Sequence, residues 1–204
     1  MKKRLIIEII CAIVIFGIGY LVGDSAAINR MNKASTKSST QTTQTSSTSD
    51  ASSTSEKDKQ KIYKVGEEGI SGNWSIKVLD AQEGTAIQSG DGSDNKTTQQ
   101  KFIIIDLQMT NISQAAAQYS DNEFALVNTE DKKQYQINSD ASLTANQAET
   151  IYKKNSNFFL GIDSLNPGVP KQTYLVFEVP QNFNLQNGVL AHVSNNKAVG
   201  FNLK

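Results

Sequence analysis

Residues Lys101–Asn111 read KFIIIDLQMTN, the longest apolar run outside the N-terminus. Ile103, Ile105, Leu107 and Met109 alternate, as in a strand with one face turned to a core. Phe102 and Ile104 put apolar side chains on the opposite face at the start, and Asp106, Gln108 and Thr110 follow them there. The run therefore predicts a central strand, covered on both faces in its first half and on one face in its second. Burying each of its large side chains contributes about 1.5–3 kcal/mol, so the C-terminal part of the chain is expected to pack on it.

Upstream, Tyr63–Gly66 reads as a short strand and Glu67–Gly72 as a turn with two glycines. Asn73–Ala81 alternates Trp74, Ile76 and Val78, which makes a strand and makes Trp74 a core residue rather than a ligand platform. Gln82–Gln100 is polar with three glycines and is expected to be a long loop. Its Asp91, Asp94 and Asn95 lack the order and closing glutamate of an EF-hand, so no calcium is assigned to them. Downstream, 111–122 is a polar connection. Phe124 and Leu126 start a strand that pairs, through the charged turn Thr129–Lys133, with Tyr135 and Ile137. Ser139–Asn157 has room for one or two helical turns. Phe158–Ile162 reads as a short strand, Leu165–Pro170 as a turn, and Thr173–Val179 as a strand stopped by Pro180. Val189–Val193 and Val199–Leu203 close the chain around Asn195-Asn196. About eight short strands between turn signals predict an all-β domain over 61–204, an antiparallel β-sandwich.

The 204 residues carry 20 basic and 20 acidic side chains. From residue 61 onward there are 12 Lys, no Arg and 15 Asp plus Glu, so the balance is 12 − 15 = −3. A domain without arginine and mildly acidic is ill suited to nucleic acid. Cys11 is the single cysteine, which rules out an internal disulfide and Cys-ligated zinc.

Residues 1–27 form a second region. Lys2, Lys3 and Arg4 precede LIIEIICAIVIFGIGYLVG, residues 5–23, in which Glu8 is the only charge. A helix of this length spans about 28 Å, close to the hydrocarbon thickness of a bilayer. The basic cluster predicts a signal anchor crossing the plasma membrane with the C-terminal domain outside. The alternative is cleavage after Ala27, where Ser25, Ala26 and Ala27 supply small residues, giving a secreted protein. Cys11 follows Glu8, Ile9 and Ile10, which is not a lipoprotein motif, and Gly19 and Gly23 form a GxxxG spacing common in membrane helices. Residues 28–60 are the third region. Of Ser35–Ser55, 16 of 21 residues are Ser or Thr. With no large apolar side chain there, the tract reads as a disordered spacer.

The globular part resembles a known family. The segments that carry the likeness are Tyr63-Lys64-Val65-Gly66-Glu67, Phe102–Leu107 running to Thr110-Asn111, and Phe124-x-Leu126 followed by an acidic turn and Tyr135. Leu165-x-Pro167-Gly168 and Leu175-Val176-Phe177-x-Val179-Pro180 complete it. Together they resemble an immunoglobulin-like domain of unknown function found in surface proteins and lipoproteins of Gram-positive bacteria, related to a secreted immunogenic mycobacterial protein. The resemblance implies an immunoglobulin-like sandwich and an envelope location, and it supplies no catalytic residues. The chain departs from the pattern in its Gln82–Gln100 and Ser139–Asn157 segments and in lacking a lipobox.

No catalytic, cofactor-binding or metal-binding residue is assigned. His192 is the only histidine, and no serine stands in a nucleophile-elbow context. Glu67-Glu68 and Glu130-Asp131 lie in expected turns, where charge serves solvation. Lys132-Lys133 and Lys153-Lys154 are too sparse for a polyanion groove. The sequence thus predicts a non-enzymatic, membrane-tethered interaction module with an envelope or extracellular protein partner. A structural envelope component is the second reading, and a hydrolase using His192 and carboxylates the third.

Overall fold

The structure, a computed structural model, describes residues 61–194 and 197–204. The expected anchor, the spacer and the Asn195-Asn196 turn lie outside the described residues. Among the described residues no helix is long and apolar enough to cross a membrane.

Among the described residues, nine strands form a two-sheet β-sandwich. They are β1 (Ile62–Tyr63), β2 (Glu68–Ser71), β3 (Trp74–Ile87), β4 (Lys96–Asn111), β5 (Phe124–Asn128), β6 (Gln134–Tyr135), β7 (Pro170–Val179), β8 (Gly188–Ser194) and β9 (Lys197–Asn202). One sheet has the order β1-β9-β8-β5-β6, the other β2-β3-β4-β7. All pairings are antiparallel except β1 with β9, which is parallel.

The expected central strand is β4, flanked by β3 and β7. Ile103, Ile105, Leu107 and Met109 are fully buried between the sheets, with Trp74, Ile76, Val78, Leu175 and Phe177 beside them and Phe124, Leu126, Leu190 and Phe201 opposite. On the outer face Phe102 is buried against Ile87, Val176, Ala141 and Ala145. The two alanines belong to α1 (Ser139–Gln147), which continues into a π-helical turn (Ala148–Tyr152). Asn138 caps α1 by accepting the Ala141 N–H at 3.0 Å, satisfying one of the donors a helix start leaves free. Two alanines at i and i+4 give α1 a flat face, which lets it lie close on the sheet.

Four sequence expectations need correction. Glu67–Gly72 is not a turn throughout, because Glu68–Ser71 is strand β2. Gly69 faces inward where Tyr63 and Phe201 leave no room for a Cβ, so a glycine that looked like a turn marker is a packing device. The true hairpin turn is Gly72-Asn73, with Gly72 at φ 58°. Gln82–Gln100 is not a long loop. β3 runs on to Ile87 and β4 begins at Lys96, and these polar extensions pair with each other across a register shift between Gly84 and Ala86. Solvent on one or both faces removed the alternation that would mark them as strands. Phe158–Ile162 is not a strand. Phe158 makes an isolated bridge to Gln172, while Ile162 is 73% exposed. Ser139–Asn157 holds more helix than one or two turns.

Candidate functional site

The hydrolase reading requires His192 together with carboxylates. On β8 it faces inward, opposite Phe124 of β5 in the strand register, and its exposure is 0%. Its Nδ1 lies 2.8 Å from the Ser71 hydroxyl on β2, so the pair ties one sheet to the other. Its Nε2 has no hydrogen-bond partner and lies 3.7 Å from Glu123 Oε2. The Phe124 ring packs edge-on at 4.6 Å. Serine, histidine and glutamate thus stand in line, as in a hydrolase, but Ser71 is itself buried. A nucleophile needs room for a reacting carbonyl about 3 Å away. Here that space is core, and the arrangement works as a cross-sheet tie.

The acidic and basic pairs seen in the sequence are dispersed. Glu67 accepts the Lys64 N–H at 2.9 Å, and Glu68 accepts from the Ser75 hydroxyl. Glu130 holds Asn187 at 2.8 Å, and Asp131 faces Lys133 at 3.4 Å. Lys132 and Lys154 sit in turns at φ 62° and 54°, whereas Lys153 pairs with Glu149 at 2.7 Å. Asp91 accepts from the Ser93 N–H at 3.0 Å, the Ser93 hydroxyl at 2.8 Å and the Tyr152 hydroxyl at 3.0 Å. These bonds hold its carboxyl at about 2, below the ordinary range. The β3–β4 turn is therefore pinned to the π-helical turn by Asp91. Among the described residues no group of three or more His, Cys, Asp or Glu side chains is placed to hold a metal ion.

Two features escaped the sequence reading. The first is a cavity of about 130 Å³ on the outer face of the second sheet, lined by Asp80, Gln82, Ile104, Asp106 and Tyr174. Asp80 and Asp106 are direct cross-strand partners, brought into register by an irregularity between Val78 and Asp80. Like charges in that position repel. Burial, with Asp80 and Glu149 nearby, pushes the Asp106 carboxyl up to about 6, and its Oδ1 is buried without a hydrogen bond. Asp80 is held below the ordinary carboxylate range by the Gln82 amide, which donates to it at 2.8 Å.

The second feature is the contrast between the two edges of that sheet. Along β7, Ser142 Oγ accepts the Val176 N–H at 2.9 Å, and the Asn146 amide bonds both the N–H and the C=O of Tyr174. The Asn138 N–H donates to the Val176 carbonyl at 2.7 Å. This edge is closed by α1. β2 forms the other edge. Its two-residue turn closes on the Ser71–Trp74 pair, so Glu68 and Ile70 direct their backbone groups away from β3. Ile70 is 63% exposed on the outer face.

Fold and site together define a two-sheet β-sandwich domain whose single histidine is structural. Residues 63–187 match the family described as domain of unknown function (DUF4352), and the chain belongs to that family. No curated protein matches it. Among solved structures, the chain is similar to the yjhA protein of Bacillus subtilis at 14% identity and a TM-score of 0.49, over 70% of this chain and 99% of that one. It is similar to an uncharacterised β-sandwich protein of Clostridium difficile at 14% identity and a TM-score of 0.48, over 72% and 98%. It is also similar to the secreted protein MPT63 of Mycobacterium tuberculosis at 12% identity and a TM-score of 0.45, over 70% and 97%.

Proposed function

We propose that this protein is a non-enzymatic interaction module of the bacterial envelope, displayed outside the cell as an immunoglobulin-like sandwich. Residues 5–23 tether it to the plasma membrane and residues 28–60 hold it off the surface. The observation that carries the interaction reading is the β2 edge, uncapped among the described residues, with Ile70 beside it, on a sheet whose other edge is closed by helix side chains. An open edge binds an extended segment through main-chain hydrogen bonds, with specificity from side chains on alternate positions. The partner is thus an extended stretch of an envelope or extracellular protein. The tethered reading rests on the basic cluster and apolar length of the N-terminus.

The test places a photo-crosslinking side chain at Ile70, and as a control at Lys132, in the full-length chain in living cells. A discrete adduct from position 70 and none from 132 supports edge docking. Adducts from 132 alone, or from both positions equally, would refute it. Fractionation of the same cells, with protease added to protoplasts, tests the tether separately. A mature protein in the medium starting at Ile28 would replace the anchor with a cleaved signal and leave the edge result standing.

A further inference from the structure

Asp106 sits on β4, an inner strand of its sheet, in register with Asp80 on one side and Tyr174 on the other. The Tyr174 main chain is what Asn146 of α1 holds, by an N–H to Oδ1 bond of 2.7 Å and an Nδ2 to carbonyl bond of 2.8 Å. Ile104 and Tyr174 line the cavity and also pack against the α1 cluster of Ala141 and Ala145. The carboxylates and the helix thus share the same two side chains.

We propose that α1 and its π-helical turn form an acid-closed cover over the β7 edge, governed by the Asp80–Asp106 pair. With both groups ionised, two like charges face each other in a half-open cavity whose lining holds no cation. Lifting the helix, which rests on Ile104 and Tyr174 of that lining, admits more water and relieves them. With one proton on Asp106 that group is neutral, and the repulsion disappears. The cover and the proton are therefore linked reciprocally: the closed state binds the proton better, and the proton favours the closed state.

The other groups facing Asp106 reinforce this sign. Glu149 on the π-helical turn adds negative charge, moderated by Lys153 at 2.7 Å and Asn155 at 3.1 Å. Tyr174 is neutral over this range, its hydroxyl pushed up by burial and by Asp106 and Glu149. Lys204 acts weakly on Asp80 alone. The pushed-up Asp106 carboxyl, at about 6, places the change between about pH 5 and 7.

The test is amide hydrogen exchange at Tyr174 and Val176, the two N–H groups that α1 holds, on the full chain in detergent at pH 5 and pH 7.5. Rates are corrected for intrinsic exchange and compared with Leu190 in the other sheet. Protection at the two reporters should fall by about tenfold between the two pH values, relative to Leu190. In Asp106→Asn the fall should vanish, and Asp80→Asn should reduce it as well. Reporter protection that does not change with pH in the wild type would overturn the proposal. So would an undiminished fall in both variants.

Discussion

Asn146 is bonded to Tyr174 as one strand is to another: its Oδ1 accepts the Tyr174 N–H at 2.7 Å and its Nδ2 donates to the Tyr174 carbonyl at 2.8 Å. A helix side chain here reproduces the donor and acceptor of a missing neighbour strand. Replacing it strands two main-chain groups at a largely buried position. Asn146→Leu should lower unfolding stability by about 2–4 kcal/mol, measured by urea denaturation, and should promote edge-to-edge association on storage. A loss below about 0.5 kcal/mol with no association would show that the bonds contribute nothing net.

Asp106→Asn should stabilise the domain at neutral pH. Asp106 is raised to about 6 from an ordinary 3.8, so the folded state binds its proton more tightly than the unfolded state does. Its contribution is fully favourable below about 4 and is lost as pH rises through about 6. The full shift would correspond to about 3 kcal/mol, but the group is only half-buried and solvent screening reduces this to about 1 kcal/mol. Thermal melts from pH 4 to 8 should show the wild type losing stability relative to the variant across this window. Parallel curves would refute the assignment.

His192→Ala should destabilise by about 2–4 kcal/mol, since it opens a cavity in the core and leaves the Ser71 hydroxyl unpaired. Ser71→Ala should cost about 1–2 kcal/mol through the unpaired Nδ1. The double variant should lose less than the sum of the two, as contacting residues do in a cycle. Strict additivity in chemical denaturation would mean that the cross-sheet tie has no coupling energy.

At Gly69 a Cβ would stand 2.6 Å from Tyr63 Cε2 and 2.9 Å from Phe201 Cζ. Those rings are stacked with centroids 5.3 Å apart and have little freedom to retreat. Gly69→Ala should cost about 1–3 kcal/mol by overpacking, whereas Ile70→Ser next to it should stay within about 0.5 kcal/mol. Comparable melting temperatures for both variants would contradict this packing.

The sequence made the sandwich legible wherever burial was one-sided. β4, β5, β7, β8 and β9 each carry an alternating or continuous apolar run, and Trp74 and Phe177 lie where their spacing put them. It was illegible where polarity had another cause. Gln82–Ile87 and Lys96–Gln100 are strands held by main-chain bonds with solvent at their sides, so their composition is that of a loop. Gly69 carried the mark of a turn because a close ring contact and a turn both require glycine. Asp106 read as an ordinary outward residue, because its pairing with Asp80 depends on a bulge that no periodicity reveals. Asn146 and Ser142 gave no signal, since their role exists only once α1 lies against β7.

The parallel pairing of β1 with β9 has a mechanical consequence. Ile62 lies against Gly200 and Tyr63 against Phe201, and among the described residues β1 is the first strand from the N-terminal side. Tension drawn through that end must shear this two-residue ladder and part the stacked Tyr63 and Phe201 rings before it reaches the long β3–β4 and β4–β7 ladders. β1 would thus yield first under load, releasing a few residues of slack while the sandwich core stays intact.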